Sequence, residues 1–158
     1  MLYEVRKTKV PYNNVVSYIP GEGLFSNCEN EYSILIGMDY VALDIKLPTN
    51  QIIGVSGFTS KNNWIKKNLP LPTPIIPGEI FIVGAKKFQS GTGEEMEKTL
   101  SLCFYDSKNQ VLCFSSSELQ NENNLKRQHI LVCKNVIFSI LNDQICQIWI
   151  NLKTSNTK

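Results

Sequence analysis

The sequence has little of what most catalytic and metal sites need. Among its 158 residues there is a single histidine, His129, and its five cysteines include no CxxC pair of the kind found in zinc and redox sites. A histidine-rich metal site is therefore excluded, and a carboxylate site would need Asp39, Asp44 and Glu79 to converge without any spacing that indicates it. We predict a protein with no metal and no cofactor.

The chain also lacks a long apolar segment and a strong charge of either sign. No run approaches the roughly 18 apolar residues that span a bilayer, and the N-terminal MLYEVRKTKV has no signal-peptide core. Sixteen Lys and Arg against fourteen Asp and Glu give a net charge of +2, too small to indicate nucleic acid or an anionic membrane. We predict a soluble cytoplasmic protein that binds neither.

The cysteines themselves are typical of reduced, buried thiols. Four of the five lie in apolar runs such as SLCFYD and VLCFSS, where a free cysteine behaves as a small hydrophobic residue. If the segments around Cys103 and Cys113 pair through residues 107–109, the two thiols would be cross-strand neighbours. A disulfide between them would be compatible with this pairing but is not required by it.

What the sequence does contain is a series of short runs rich in Val, Ile, Tyr and Phe, separated by Asn, Gly, Pro and Asp, which is typical of many short strands. We predict one β-rich domain over residues 1–151 and a polar tail over 152–158. The predicted fold is mainly β, an antiparallel β-sandwich or partly open barrel of about ten short strands with one or two short helices. The predicted strands are residues 2–8, 14–19, 33–37, 40–46, 51–58, 79–84, 99–105, 110–115, 128–133, 135–141 and 145–151.

Turn residues predict three hairpins. The clearest turn is LPTN, because Pro48 presets a turn and Asn50 tolerates the left-handed conformation that ends it. A second hairpin turns at residues 107–109, and a third turns at Asn142 and Asp143. The last strand is so apolar near its end, at Ile-Trp-Ile, that we predict burial on both faces, the alternative being an exposed edge that serves association.

Evidence for helices is thin. SKNNWIKKNL predicts two turns, with Ser60 as N-cap, Trp64 and Ile65 pointing inward and Pro70 beyond the end. GEEMEKTL is a second short candidate. The segment PLPTPIIPGE carries four of the seven prolines, and we predict extended polyproline over the surface and no central strand there.

Two glycine-containing segments lack the spacing of catalytic motifs. QSGTGEEM has Gly91 and Gly93 but not the lysine of a P-loop, so we predict a surface loop that opens a short helix. GVSGF does not have the spacing of a nucleophile elbow. We therefore predict that Ser56 is structural and that Gly54 and Gly57 mark a bulge or a close approach of two backbones.

Three segments carry a resemblance to a known family: VALDIKLPTNQIIGVSGF, then WIKKNLPLP from Trp64 onwards, and the closing hairpin NVIFSILNDQICQIWI. In these strand and turn patterns the sequence resembles small bacterial immunity proteins of contact-dependent growth inhibition and related polymorphic toxin systems. The resemblance implies a protein without catalysis of its own, which binds a cognate toxin domain and blocks its active site or its access to substrate. It carries over no functional residue position by position.

The candidate interface consists of residues that we expect to be exposed on the surface. Trp64 stands alone among polar neighbours, and it either anchors a partner or packs a short helix onto the sheet. The mixed charges near residues 86–97 would steer association and set specificity more than affinity. We expect Trp64→Ala with Lys66→Glu and Lys67→Glu to weaken toxin capture without unfolding the protein. The predicted partner-binding residues are Trp64, Lys66, Lys67, Lys86, Lys87, Glu94 and Glu95.

Two other functions stay open. A concave β-sheet face with Tyr and Trp platforms would bind a small molecule or a carbohydrate, and saturating ligand would then raise the melting temperature. An enzyme would have to combine His129 with a cysteine or a carboxylate, and the sequence does not show that such groups lie close together. Because catalytic and cofactor motifs are missing, we predict a binding protein and not an enzyme.

Overall fold

The fold is built almost entirely from strands. The computed structural model describes residues 2–26, 33–39, 41–84, 93–116 and 126–153. Strands make up 61% and helices 4%, which confirms the predicted mainly β class. Within these ranges the structure has no helix with the length and apolar character needed to cross a membrane. The strands are β1 (Leu2–Lys7), β2 (Val16–Ile19), β3 (Gly23–Ser26), β4 (Ser33–Asp39), β5 (Val41–Lys46), β6 (Gln51–Ser56), β7 (Ile65–Lys66), β8 (Ile75–Val83), β9 (Gly93–Leu100), β10 (Leu102–Asp106), β11 (Val111–Ser115), β12 (Gln128–Cys133), β13 (Val136–Leu141) and β14 (Gln144–Asn151).

The strands other than β2 and β3 pair into one mixed sheet. Nine of its strands curl into a half-barrel. The order is β7-β10-β11-β14-β13-β12-β8-β6-β5-β4-β9, and β1 adds to β8. Most pairs are antiparallel, whereas β7 with β10, β8 with β12 and β4 with β9 are parallel. The strands β2 and β3 form a separate hairpin. Of the two predicted architectures, the partly open barrel is the one that forms.

Burial on both faces of the last strand holds the half-barrel together. Along β14, Ile148 and Ile150 pack in the main hydrophobic core, whereas Trp149 packs in a second apolar cluster. Phe114 of β11 and Phe138 of β13 lie opposite Ile148 on its two sides, and both are fully buried. Because successive side chains of a strand point to opposite faces, this apolar run needs apolar neighbours on each side. The predicted burial on both faces is confirmed.

The three predicted hairpins are confirmed. Asn50 ends the β5–β6 turn with a φ of 61°, as its tolerance of the left-handed region predicts. Asn142 and Asp143 join β13 to β14 with φ values of 51° and 59°. Two successive residues with positive φ make a turn whose twist matches that of the flanking strands. The second hairpin pairs β10 with β11 as predicted.

Cys103 and Cys113 are not cross-strand neighbours, which corrects the pairing considered for them. Cys103 lies opposite Phe114, and Cys113 lies opposite Phe104. This offset of one residue sends the two thiols to opposite faces of the sheet, so Cys103 joins the main core and Cys113 joins the second cluster. The cysteines within the described ranges are free thiols, and Cys28 lies outside those ranges.

The prediction of a surface polyproline segment over residues 70–79 is wrong for its second half, because residues 75–79 form the beginning of the central strand β8. This strand pairs with β12 over residues 75–77 and then with β1 and β6. Pro77 has no N–H, but its carbonyl still accepts the Thr8 N–H at 3.0 Å. Further along the strand, Ile80 and Ile82 are buried. Pairing on both sides and burial therefore outweigh the local preference of the prolines.

Neither predicted helix forms. GEEMEKTL belongs to β9, which begins at Gly93 where the sequence predicts a loop, and its backbone pairs in parallel with β4. From SKNNWIKKNL only a single 3-10 turn forms, Lys61–Asn63, with Ser60 as N-cap as predicted. Trp64 turns inward as predicted for this segment, but Ile65 is exposed and begins β7. A neighbouring strand supplies both segments with backbone partners, whereas a short isolated helix is marginal in water.

The two glycines of GVSGF mark a bulge and a close approach of backbones, as predicted. The pairing of β5 with β6 shifts register next to Gly54, where a Cβ atom would collide with the Asn14 side chain. Gly57, with a φ of 141°, exchanges two backbone hydrogen bonds with β3. Ser56 is structural, because its hydroxyl donates to the buried Asp44 carboxylate at 2.8 Å.

Candidate functional site

A cleft with aromatic walls lies beside β7. Its volume is about 290 Å³. The rings of Tyr18, Trp64 and Tyr105 meet there from β2, from the residue before β7 and from β10. The accessible lining of the cleft is more polar than apolar, and a concave site with a few convergent polar groups is one form that ligand pockets take. We call the lining residues the aromatic cleft: Tyr18, Pro20, Lys61, Trp64, Tyr105, Gln110 and Leu152.

Trp64 is fixed inside this cleft and is only 8% exposed. Its ring centre lies 4.9 Å from that of Tyr18 at an interplanar angle of 58°, and 4.8 Å from that of Tyr105 at 52°. Its indole Nε1–H donates to Thr59 Oγ1 at 2.8 Å, so the polar end of the ring is satisfied although it is buried. These contacts fit the packing alternative considered for Trp64. Its role in binding a partner stays a prediction.

Two polar side chains, those of Lys61 and Gln110, also line the cleft. The Lys61 Nζ lies 5.5 Å from the centre of the Tyr18 ring, which is a cation–π contact. Gln110 ends the β10–β11 turn with a φ of 53°, and its carbonyl accepts the Leu152 N–H at 2.9 Å. Positive φ is uncommon for a residue other than glycine. The turn and the bond to Leu152 therefore fix the backbone from which the Gln110 amide extends.

The strand β7 forms one edge of the sheet and carries two of the predicted partner-binding residues. We call Ile65, Lys66 and Lys67 the β7 edge. Ile65 is 45% exposed and Lys66 is exposed. The Lys67 N–H donates to the Tyr105 carbonyl at 3.1 Å, and its ammonium lies 5.4 Å from the centre of the Phe104 ring. In the part of the chain that the structure describes, β7 pairs with β10 alone, so no described strand covers its other side.

Asp106 ties the chain after β7 to the β10–β11 turn. Its Oδ2 accepts the Leu69 N–H at 2.8 Å, and its Oδ1 accepts the N–H groups of Lys108 and Asn109, each at 3.0 Å. These hydrogen bonds, with that from Leu69 as the largest contribution, lower the pKa of Asp106 to about 2. The carboxylate therefore stays ionised and keeps the β7 edge docked on β10.

The other four residues predicted for the interface are not joined to the β7 edge by strand pairing. Glu94 and Glu95 lie on β9, at the opposite end of the strand order from β7. Lys86 and Lys87 lie outside the described residues. The roles of these four residues in binding stay predictions.

The single histidine is engaged inside the sheet. His129 Nδ1 and Ser139 Oγ are 2.8 Å apart, and the Trp149 Nε1–H donates to the same serine oxygen at 3.1 Å. The serine hydroxyl can then donate its own hydrogen to Nδ1, which suits a neutral imidazole. An enzyme based on this histidine would need a cysteine or carboxylate here, or an accessible hydroxyl, and Ser139 is 0% exposed. The hydrogen bond joins the His129 ring on β12 to its partner residue on β13.

We predict that His129→Gln removes part of the acid sensitivity of the fold. Burial lowers the pKa of His129 below its usual 6.5, and the charge of Arg127 lowers it further. The pKa of His129 is lower in the folded protein than in the unfolded chain, so the unfolded chain binds a proton more readily. The neutral imidazole therefore makes its full contribution to stability above the unfolded-state pKa. This contribution is lost as the pH falls through the folded-state pKa. Urea unfolding at about pH 7 and about pH 5 checks this, since the wild type should lose more free energy of unfolding than the variant. An equal loss in the two proteins would contradict the prediction.

Sequence reasoning singled out Trp64 but missed the residues that complete the cleft. Tyr18, Tyr105 and Gln110 come from distant parts of the chain, so no spacing could have indicated that they meet. Among the residues that the structure describes, no group of three or more His, Cys, Asp or Glu side chains is placed to hold a metal ion. No protein-family model, curated protein or solved structure matches this chain.

Proposed function

We propose that this protein is an immunity protein, which binds a cognate toxin domain in the cytoplasm and blocks its active site or its access to substrate. The resemblance to such proteins supports the proposal, because one of the segments that carry it, WIKKNLPLP, contains the β7 edge. The observation that carries the proposal is the β7 edge itself. It joins an open strand edge, an exposed isoleucine and two lysines in three consecutive residues.

The β7 edge offers backbone, apolar and charged contacts to a partner. A strand of the partner can add to its open side, which is a common way in which sheets bind extended segments. Because β7 has only two residues, such pairing supplies few hydrogen bonds and the side chains must add to it. Ile65 supplies apolar area, while Lys66 and Lys67 supply positive charge. The complementary partner surface is therefore a strand edge with acidic residues around an apolar one.

This edge is also held in place before a partner arrives. The Lys67 N–H is bonded to Tyr105, the Leu69 N–H is bonded to Asp106, and Trp64 is packed immediately before the strand. A preformed binding edge loses less conformational entropy on association than a loop that must first be ordered.

Co-expression tests the proposal directly. The protein is produced together with the toxic domain encoded immediately upstream of its gene, and growth and co-purification are followed. We expect growth protection and a stable complex of the two chains. Loss of growth without any complex would refute the proposal.

Charge reversal at the β7 edge tests where the toxin binds. We expect Lys66→Glu with Lys67→Glu to weaken capture by roughly ten-fold or more, because two acidic groups then face an acidic partner surface. The melting temperature should change little, since these side chains lie at the surface. The matched control is Lys7→Glu with Lys9→Glu, which alters the net charge equally on exposed residues at and after the end of β1. Equal weakening by both pairs, or by neither, would place the interface elsewhere.

The aromatic cleft favours a second candidate function, the binding of a small molecule or carbohydrate. Its walls are aromatic, and it carries two polar side chains that can orient a ligand. A thermal-shift screen tests this candidate, because a saturating ligand raises the melting temperature of the protein that binds it. A protein that binds only another protein would show no shift with any small ligand.

A further inference from the structure

We infer that the aromatic cleft binds a small organic carboxylate with a flat apolar face. This inference rests on the second candidate function and names its class of ligand. Three features of the cleft carry it, namely its charge, the chemistry of its walls and its rigidity.

The charge of the cleft is positive. Lys61 is the charged residue among the side chains that line it. Within the described part of the chain its ammonium forms no ion pair, and it lies over the face of the Tyr18 ring. Of the acidic residues next to the lining segments, Asp106 is occupied by hydrogen bonds and Glu22 is exposed in the β2–β3 turn. Lys61 is exposed, and a cation beside aromatic rings favours an anion bound in the same cleft.

The walls and the volume of the cleft favour a ligand with one flat ring. Tyr18 and Tyr105 both tilt against Trp64, so three packed aromatic rings contribute to the walls of the cleft. A volume of about 290 Å³ lies at the lower end of ligand pockets, which suits a single ring with a carboxylate.

The cleft is also preorganised. The bond from the Trp64 indole to Thr59 fixes the central ring, and the bond from the Leu152 N–H fixes the backbone of Gln110. A ligand therefore does not have to order these groups when it binds.

The test follows the two tryptophan indole signals of the isotopically labelled protein during titration. The chain has two tryptophans; Trp64 reports on the cleft, whereas Trp149, bonded to Ser139 in the second cluster, serves as an internal reference. The probes are benzoate and glucuronate, each with a neutral counterpart, benzamide and glucose. We expect an acid to move the Trp64 signal at lower concentration than its counterpart and to leave the Trp149 signal in place. The acid that binds more tightly shows whether the cleft prefers an aromatic acid or a sugar acid.

Substitution of the lysine identifies the charge that the ligand meets. Lys61→Gln should weaken binding of the preferred acid by roughly three- to five-fold and leave binding of the neutral probe unchanged. Lys7→Gln is the matched control, because this exposed lysine lies at the end of β1 and does not line the cleft. Added salt should weaken acid binding to the wild type more than to Lys61→Gln.

Two outcomes would overturn the inference. If acids and neutral probes bind equally well, or if Lys61→Gln leaves acid binding unchanged, the ligand is not a carboxylate, although the cleft still binds small molecules. If none of the four probes moves the Trp64 signal, the inference fails, and the thermal-shift screen then decides whether the second candidate function fails with it.

Discussion

Phe138→Ala should lower the free energy of unfolding by about 3–5 kcal/mol. Phe138 is 0% exposed on β13, where it lies opposite Ile148 of β14 on one side and Ile130 of β12 on the other. Removal of the ring leaves a cavity in the main core between these side chains. Backbone pairing holds both flanking strands in place, so the cavity can close only in part. Urea unfolding should show the loss as a lower midpoint with an unchanged slope.

Two variants serve as controls for this expectation. Phe138→Leu keeps most of the apolar volume and should cost about 1–2 kcal/mol. Phe25→Ala removes the same ring from a residue that is 44% exposed on β3, and it should change stability by only about 0.5 kcal/mol. Equal losses for Phe138→Ala and Phe25→Ala would contradict the position of Phe138 in the core.

Trp64→Ala should cost a similar amount, about 3–5 kcal/mol. The ring is buried, packs against Tyr18 and Tyr105, and donates its N–H to Thr59. Trp64→Phe keeps most of the packing but loses the donor, so it should cost about 1–2 kcal/mol. Thermal and urea unfolding of the two variants measure both values. A wild-type midpoint for Trp64→Ala would show that the ring is not part of the core.

A loss of this size changes how Trp64 can be used to study function. The sequence predicts that Trp64→Ala weakens toxin capture without unfolding, but a ring that is 8% exposed cannot be removed at no cost to the fold. Reduced capture by Trp64→Ala would therefore mix the loss of a contact with the loss of folded protein. The surface changes at Lys66 and Lys67 separate these two effects.

The hairpins of this protein were predictable because their chemistry is local. Asn50, Asn142 and Asp143 sit at positions with positive φ, which these residue types tolerate. Along β5, Val41 and Ile45 alternate with more polar residues, which is the pattern of a strand with one buried face, and both are buried. In such segments a few neighbouring residues contain the information that decides the structure.

The first half of β8, before the predicted strand at 79–84, and most of β9 were missed because distant partners form them. The pairing of β8 with β12 overrides the local preference of Pro77, and the pairing of β9 with β4 overrides a short helical pattern. Asp44 illustrates the same limit. It is a charged residue between Leu43 and Ile45 in sequence, but hydrogen bonds with Ser26 of β3 and Ser56 of β6 hold it in the folded sheet, and burial raises its pKa.

The candidate site was predictable only where one segment contains it. The β7 edge lies in a single stretch of sequence, so its lysines could be singled out without a structure. The aromatic cleft joins β2, the residues from Lys61 to Trp64, β10 and the end of β14, which only the folded sheet brings together. The expected exposure of Trp64 was the weakest inference, because a tryptophan with polar neighbours in the sequence can still be covered by aromatic rings from other strands.

The order of the strands also governs how this chain can be assembled during synthesis. The two end strands of the sheet each pair with a strand from the other half of the sequence. The end strand β7 belongs to residues 2–84 and pairs with β10, which comes later in the chain. The end strand β9 comes later in the chain and pairs with β4 of the first half. The strand β8 likewise pairs with β12, which is synthesised later. As the first part leaves the ribosome, β4 and β8 therefore carry open edges until β9 and β12 have been made. Open edges of this kind are where neighbouring nascent chains misassemble, so prompt synthesis of the second part protects the first.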